Sequence, residues 1–260
     1  MPRLRLDQLV HARGLTASRE LARRLIMAGE VRVDGQTVDR PATLVADGAT
    51  IELKARPRFV SRGGEKLDAA LDAFRLDMAG WVCADLGAST GGFTDALLQR
   101  GAARVYAIDV GHGILDYRLR TDARVVVMEQ VIARYLERLP EPVRLVTIDA
   151  SFISLKLLLP VARGWLPPTG GEIVALIKPQ FEAGRGQVGK GGIVKDPAIH
   201  RQVLTAILGW ALANGLPPAG LIRSPITGAE GNVEFLAWLR PGSAPDFDHT
   251  AAIAALLGEP

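Results

Sequence analysis

Between residues 82 and 177 the chain alternates short apolar, β-type runs with stretches of helical character. No other feature restricts its fold as strongly. The runs fall at 82–86, 105–110, 125–128, 145–148 and 173–177, with helical stretches such as 93–100 and 153–162 between them. Such alternation predicts βαβ units and an α/β fold with a mostly parallel, doubly wound sheet. Two further runs, 221–226 and 233–239, flank a Gly/Asn turn and predict a closing antiparallel hairpin. Three segments follow: a front piece at 1–60 that includes a basic linker, a main domain at 61–245, and a tail at 246–260; residues 241–260 read as a Pro/Gly/Ser linker and a short Ala/Leu helix.

The front piece reads as a small α+β module. A helical stretch at 5–12 places Leu6, Leu9 and Val10 on one side. Ser18 is a favourable N-cap for a second helix that Gly29 stops. On that helix Arg19, Arg23 and Arg24 share roughly one exposed face. Asp34-Gly35 sits between two β-type runs as a hairpin turn, and 49–53 reads as another short strand. Charge is concentrated here. Residues 1–66 hold 13 Lys and Arg against 8 Asp and Glu, net +5, whereas the remainder holds 18 against 20, net −2. A basic front on a near-neutral body suits a polyanion-binding module.

Composition closes off several classes. With 48% hydrophobic and 23% charged residues the chain can build a core. A single cysteine, Cys83, excludes a disulfide framework and cysteine-based zinc clusters, and reads as a buried strand residue. The four histidines show no metal-ligand spacing, so no metal site is expected. The first residues lack the apolar core of a signal peptide, and the longest apolar stretch, 205–222, is interrupted by Asn214, Pro217 and Pro218. A soluble cytoplasmic protein without membrane association is therefore expected. Six lysines stand against 25 arginines. A lysine kept inside a motif is then a candidate for work that arginine cannot do, such as releasing a proton.

In a doubly wound sheet the ligand lies at the carboxyl ends of the strands. The first strand of the main domain ends in Asp85-Leu-Gly87-Ala-Ser89-Thr90-Gly91-Gly92-Phe93, whose glycines permit close approach of a ligand at a helix start. Asp109 ends the second strand, 24 positions on, where an acid can accept hydrogen bonds from a ribose diol. Glu129 follows the third strand on the same edge. The dinucleotide fingerprint fails because Ser89 stands where its second glycine belongs. Gly87-Ala-Ser89-Thr90-Gly91 matches a hydrolase nucleophile elbow in letters, but it follows the first strand of its domain. The stretch from Gly184 to Lys190 approaches a P-loop but continues into Gly191 rather than Ser or Thr, and reads as a flexible loop near the active face. An acid two places before a glycine-rich loop, with a second acid ending the next strand, resembles S-adenosylmethionine-binding methyltransferases.

The run from Leu15 to Gly35 resembles the S4 domain, an RNA-binding module, so Arg5, Arg19, Arg23, Arg24 and Arg62 are expected to contact RNA. Six further blocks begin at Val60, Asp85, Asp109, Asp149, Lys178 and Gly228 and include Asp149-Ala-Ser-Phe-Ile-Ser-Leu155, Lys178-Pro-Gln-Phe-Glu182 and Gly228-Ala-Glu-Gly-Asn-Val-Glu-Phe235. Together with the S4-like module they resemble the TlyA (haemolysin-A-like) family over essentially the whole chain. That resemblance implies a Rossmann-like class I methyltransferase domain of the FtsJ type. It also implies S-adenosyl-L-methionine as cofactor and 2′-O-methylation of a cytidine in ribosomal RNA, with ribosomal RNA or a ribosomal subunit as partner. The family's Lys-Asp-Lys-Glu catalytic set falls on Lys66, Asp149, Lys178 and Glu234. The cofactor is expected on Asp85, Gly87, Ser89, Thr90, Gly91, Gly92, Phe93, Asp109, Glu129 and Asp149. Two positions depart from the family pattern, which has Gln near 114 and Asn near 132, where this chain has Ile114 and Ile132.

A methyl on a sulfonium is already activated, so the expected chemistry is alignment of a ribose hydroxyl and management of its proton. Lys178 ends a central strand and is the candidate base, or a protonated stabiliser of the developing alkoxide; Asp149 would orient it. Lys66 and Glu234 would hold the ribose and balance charge. Ser151 and Ser154 read as caps of the next helix. The competing readings are a non-catalytic ribosomal-RNA-binding protein and a membrane-lysing protein. Against the latter, the sequence shows no basic amphipathic helix.

Overall fold

The computed structural model describes residues 3–54, 57–184 and 186–258. It divides into a unit of residues 1–58 and a unit of residues 59–260.

The first unit runs β1 (Arg3–Arg5), α1 (Leu6–Ala12), α2 (Arg19–Met27), β2 (Val31–Val33), β3 (Gln36–Thr37), β4 (Leu44–Ala46) and β5 (Ile51–Leu53). The helix expected from residue 5 begins at Leu6, because Arg5 closes a strand that pairs antiparallel with β4. That two-stranded pairing is absent from the sequence reading, since three-residue strands carry too little periodicity to register. Ser18 caps α2 by accepting from Leu21 N–H at 3.1 Å, and Gly29 follows its end with φ +67°. Asp34 and Gly35 both have positive φ, 49° and 80°, as the turn joining β2 to β3 requires. The unit's core is small: Leu6, Val10, Ala22, Leu25, Ile26 and Val31 meet between the helices and the strands.

One buried carboxylate organises the helical end. Asp7 is fully buried, and Arg5 and Arg19 reach it at 3.0 and 2.9 Å. Burial pushes its carboxyl up, but hydrogen bonds from the two guanidiniums prevail and hold it below the usual carboxylate range.

The second unit is built on a seven-stranded sheet. Its strands are β6 (Val82–Leu86), β7 (Arg104–Ile108), β8 (Val125–Met128), β9 (Leu145–Ile148), β10 (Glu172–Ile177), β11 (Pro218–Arg223) and β12 (Phe235–Leu239). The order is β11-β12-β10-β9-β6-β7-β8. The five strands from β6 to β10 are parallel to one another, and β12 runs antiparallel against both β10 and β11. Helices α3 (Gly63–Ala73), α4 (Gly92–Gln99), α5 (Tyr117–Arg120), α6 (Leu155–Trp165), α7 (Pro179–Glu182), α8 (Pro197–Ala213) and α9 (His249–Leu257) complete it.

The strands read as continuous apolar runs because both faces are covered. Along β10, Ile173, Ala175 and Ile177 enter one core, lined by Leu159 of α6 and Leu204 and Leu208 of α8. Val174 and Leu176 enter the other, lined by Leu67 and Leu71 of α3 and Leu97 of α4. Cys83 is buried in this second core, and burial together with the Asp85 charge pushes its thiol up to about 12. No helix among the described residues is long and apolar enough to cross a membrane.

Replacing Asp7 with Ala removes its ion pairs with two half-exposed arginines, a loss of about 1–2 kcal/mol. In a unit of this size that is a large fraction of the stability. Amide hydrogen exchange on the full chain should show faster exchange across α1 and α2 and unchanged protection in β6–β10. Unchanged exchange in α1 and α2 would show that Asp7 is not the organiser of this end.

Candidate active site

The strand order reverses between β6 and β9: the chain winds outward from β6 through β7 to β8, then returns to β9 on the other side. The crevice at such a point is where ligands bind. Two adjoining cavities lie there, of about 320 and 230 Å³. Gly87, Ser89 and Asp149 line both.

The glycine-rich loop is shaped for close approach. An added Cβ at Gly87 would lie 2.6 Å from the Asp149 carbonyl oxygen, and at Gly92 2.3 Å from Ser61 Oγ. Gly91, with φ +98°, is the N-cap of α4, and a side chain there would strike Leu119. Ser89 also has positive φ, 51°, and its N–H donates to Asp109 Oδ2 at 2.8 Å. Gly111 N–H donates to Asp109 Oδ1 at 2.7 Å. Each carboxylate oxygen of Asp109 thus has one backbone donor and keeps a lone pair for a hydroxyl on the 320 Å³ cavity, which it lines. A cradle closed to side chains beside a positioned carboxylate fits the nucleoside and methionine portions of S-adenosylmethionine. Val110, Ile114 and Ile132 line the same cavity with their side chains exposed, so the two departures from the family pattern both fall on its apolar wall.

Two expected cofactor residues have partners within the protein. Asp85 is fully buried beneath the loop, where Thr94 Oγ1 donates to it at 2.7 Å and Thr147 Oγ1 at 3.1 Å. Burial pushes its carboxyl up to about 7, opposed by the two threonine bonds and aided by the nearby Asp149 charge. Glu129 is turned onto the segment after β7: it accepts from Gly113 N–H at 2.8 Å and Leu115 N–H at 3.4 Å, and pairs with Arg120. The Arg120 bond, with the backbone donors, holds its carboxyl down at about 2. Thr90, Gly92 and Phe93 line the smaller cavity.

The four residues of the Lys-Asp-Lys-Glu set come together as two ion pairs. Lys66, in the first turn of α3, reaches Glu234 Oε2 at 2.5 Å, and Glu234 is 2% exposed. Gly228 makes room for that carboxylate: a Cβ there would lie 2.0 Å from Glu234 Oε1. Lys178, at the end of β10, reaches Asp149 Oδ1 at 2.7 Å and donates to Ser151 Oγ at 2.9 Å. Lys66 and Asp149 both line the smaller cavity. Ser154 caps α6 as expected, but Ser151 does not; it is a partner of Lys178.

Several contributors were not singled out by sequence reasoning. Ser61 lines the smaller cavity beside Arg62, which is exposed there. Thr94 and Thr147 hold Asp85, and Glu182 reaches the start of α6 from the Lys178 block. Asn232, 3% exposed, donates to Gly192 O at 2.9 Å and accepts from Val194 N–H at 3.0 Å, tying the loop after α7 to the turn that bears Glu234. That loop forms no phosphate cradle at a helix start, since α8 begins later at Pro197; its Arg185 lies outside the described residues. Of the arginines expected on RNA, Arg23 and Arg24 are exposed, while Arg5 and Arg19 are engaged with Asp7. No group of His, Cys, Asp or Glu that could hold a metal occurs among the described residues.

The raised Asp85 carboxyl sets a pH dependence. Its folded pKa lies above the unfolded value, so its contribution to stability is fully present below about pH 4 and is lost as pH rises through about 7. Asp85→Asn removes the buried charge and should raise the thermal midpoint relative to wild type at pH 8, with the gain shrinking toward pH 5. Parallel curves for the two proteins in thermal denaturation at both pH values would contradict the assignment.

Comparison with known proteins agrees with this geometry. Residues 59–241 match the FtsJ-like methyltransferase family and residues 4–51 match the S4 domain. The chain is 47% identical to the 16S/23S rRNA (cytidine-2′-O)-methyltransferase TlyA of Mycobacterium tuberculosis, over 92% of this chain and 90% of that one. It is 42% identical to hemolysin A of Brachyspira hyodysenteriae, over 90% of this chain and 98% of that one. A hemolysin-type protein solved from Streptococcus thermophilus superposes with a TM-score of 0.75 at 44% identity, covering 99% of this chain and 95% of that one. The chain belongs to the TlyA family of FtsJ-like, S-adenosylmethionine-dependent methyltransferases that carry an amino-terminal S4 domain.

Proposed function

We propose that this protein methylates the 2′-hydroxyl of a cytidine ribose in ribosomal RNA, with Lys66, Asp149, Lys178 and Glu234 as its catalytic residues. One observation carries the assignment of residues: one member of each lysine–carboxylate pair, Lys66 and Asp149, lines a cavity that shares Gly87, Ser89 and Asp149 with the cofactor cradle. The substrate follows the relatives, which are named as rRNA cytidine-2′-O-methyltransferases.

Bound S-adenosylmethionine supplies a methyl group already activated on a sulfonium. The chain's part is to align the hydroxyl and handle its proton. Asp109 would hold the cofactor's ribose diol with its remaining lone pairs, and the glycine-rich turn would bring backbone against the methionine portion. Asp149 sits at the junction of the two cavities and fixes the Lys178 amine together with Ser151. That amine takes up the hydroxyl proton or stabilises the alkoxide as it develops. The Lys66 ammonium, held by Glu234, presents a further donor to the ribose from the lining of the smaller cavity. The S4 domain, with exposed Arg23 and Arg24, supplies the salt-sensitive part of RNA affinity.

Lys178→Arg tests the amine. Arginine keeps its proton and presents a wide planar fork in place of the single amine that Asp149 and Ser151 hold. The variant should bind S-adenosylmethionine in calorimetry but lose methyl transfer by at least about 10²-fold. Mapping of 2′-O-methyl groups on ribosomal RNA incubated with each protein reads the outcome. Near-normal transfer in Lys178→Arg would remove the proton-handling role, and no 2′-O-methyl group with the wild type would overturn the function.

A further inference from the structure

The loops bearing Asp149 and Lys178 are joined by more than the ion pair between those two residues. Lys178 is the N-cap of α7, a single helical turn, so Lys178, Phe181 and Glu182 stand at positions i, i+3 and i+4 and project to one side. Each touches the next part of the facing loop in order. Lys178 Nζ meets Asp149 and Ser151. The Phe181 ring meets Phe152, with centroids 4.7 Å apart and planes at 48°. The Glu182 carboxylate accepts from Ser154 Oγ and from Leu155 N–H, each at 2.7 Å.

The facing loop requires such a hold. Phe152 has φ +64°, a left-handed conformation that a bulky residue adopts only under constraint, and its side chain is 89% exposed. The last contact, at Glu182, joins residues 27 and 28 positions apart in sequence, so it is no local cap. It pins the start of α6 to the Lys178 segment through two charge-assisted bonds at a helix N-terminus, where a carboxylate is favoured.

We propose that Glu182 is a positioning residue for methyl transfer: by fixing the 149–155 loop to the Lys178 segment, it holds Asp149 and Ser151 in register with the Lys178 amine. The proposal rests on the reading of this centre as the methyl-transfer site. Glu182 touches neither Lys178 nor the cavities directly; it acts through the loop.

The test compares Glu182→Ala, Glu182→Gln and Glu182→Asp in the full chain. It measures kcat and KM on ribosomal RNA, stoichiometry and affinity for S-adenosylmethionine by calorimetry, and thermal stability. Glu182→Ala should lower kcat by about 10- to 100-fold, the scale of a misplacement near 1 Å, with full cofactor stoichiometry and little change in KM. Glu182→Gln keeps the length and one acceptor, and should restore most of kcat. Glu182→Asp keeps the charge but loses the reach, and should remain impaired. If the Ala variant does not fold, the order of Gln above Asp carries the test. Near-wild-type kcat in both Ala and Asp variants, a kcat loss matched by lost cofactor stoichiometry, or Asp outperforming Gln would each overturn the proposal. A wild-type protein that methylates no RNA would instead overturn the site reading, and this proposal with it.

Discussion

The site depends on the parallel pairing of β6 with β9, which sets Leu86 opposite Ile148 and delivers Gly87 and Asp149 to the same place. The turn after β6 passes so close to the chain after β9 that a Cβ at Gly87 would sit 2.6 Å from the Asp149 carbonyl oxygen. A side chain at Gly87 would separate the two strand ends and the two cavities that share them. The glycine therefore belongs to the packing of the sheet as much as to the approach of a ligand.

Around that contact the charges are arranged by how they are satisfied. Glu129 and Asp109 follow adjacent strands, but Glu129 is drawn onto backbone donors and Arg120, leaving Asp109 on the cavity. Asp85 is fully buried, with the Thr94 and Thr147 hydroxyls and the Thr94 backbone as partners, and its carboxyl rises while that of Glu129 falls. The two lysines each face one carboxylate in surroundings largely closed to water. Neighbouring segments fix those partners: Gly228 clears space for Glu234, and Ser151 adds a second acceptor for Lys178.

Similar logic separates the first unit's arginines. Arg19 and Arg23 lie one turn apart on α2, yet Arg19 closes on the buried Asp7 of α1. A pattern read along one helix does not report a carboxylate arriving from another. The same limit explains Glu182, whose partners lie 27 and 28 residues upstream.

What the sequence determined by itself was the class of fold and the identity of the motifs. Apolar runs at regular spacing specify βαβ units, because strands buried on both faces must be apolar throughout. Local turn chemistry was equally legible: Asp34-Gly35, the Ser18 cap and Gly29 all act through near neighbours. The Lys, Asp and Glu positions stood out through motif resemblance and through the scarcity of lysine. Only the tertiary structure decided which acid faces the cavity, which serine serves Lys178, and which arginines are engaged within their own unit. Those outcomes depend on groups brought together by strand order and register, and a hydrogen bond between distant residues leaves no periodic mark on the chain that makes it.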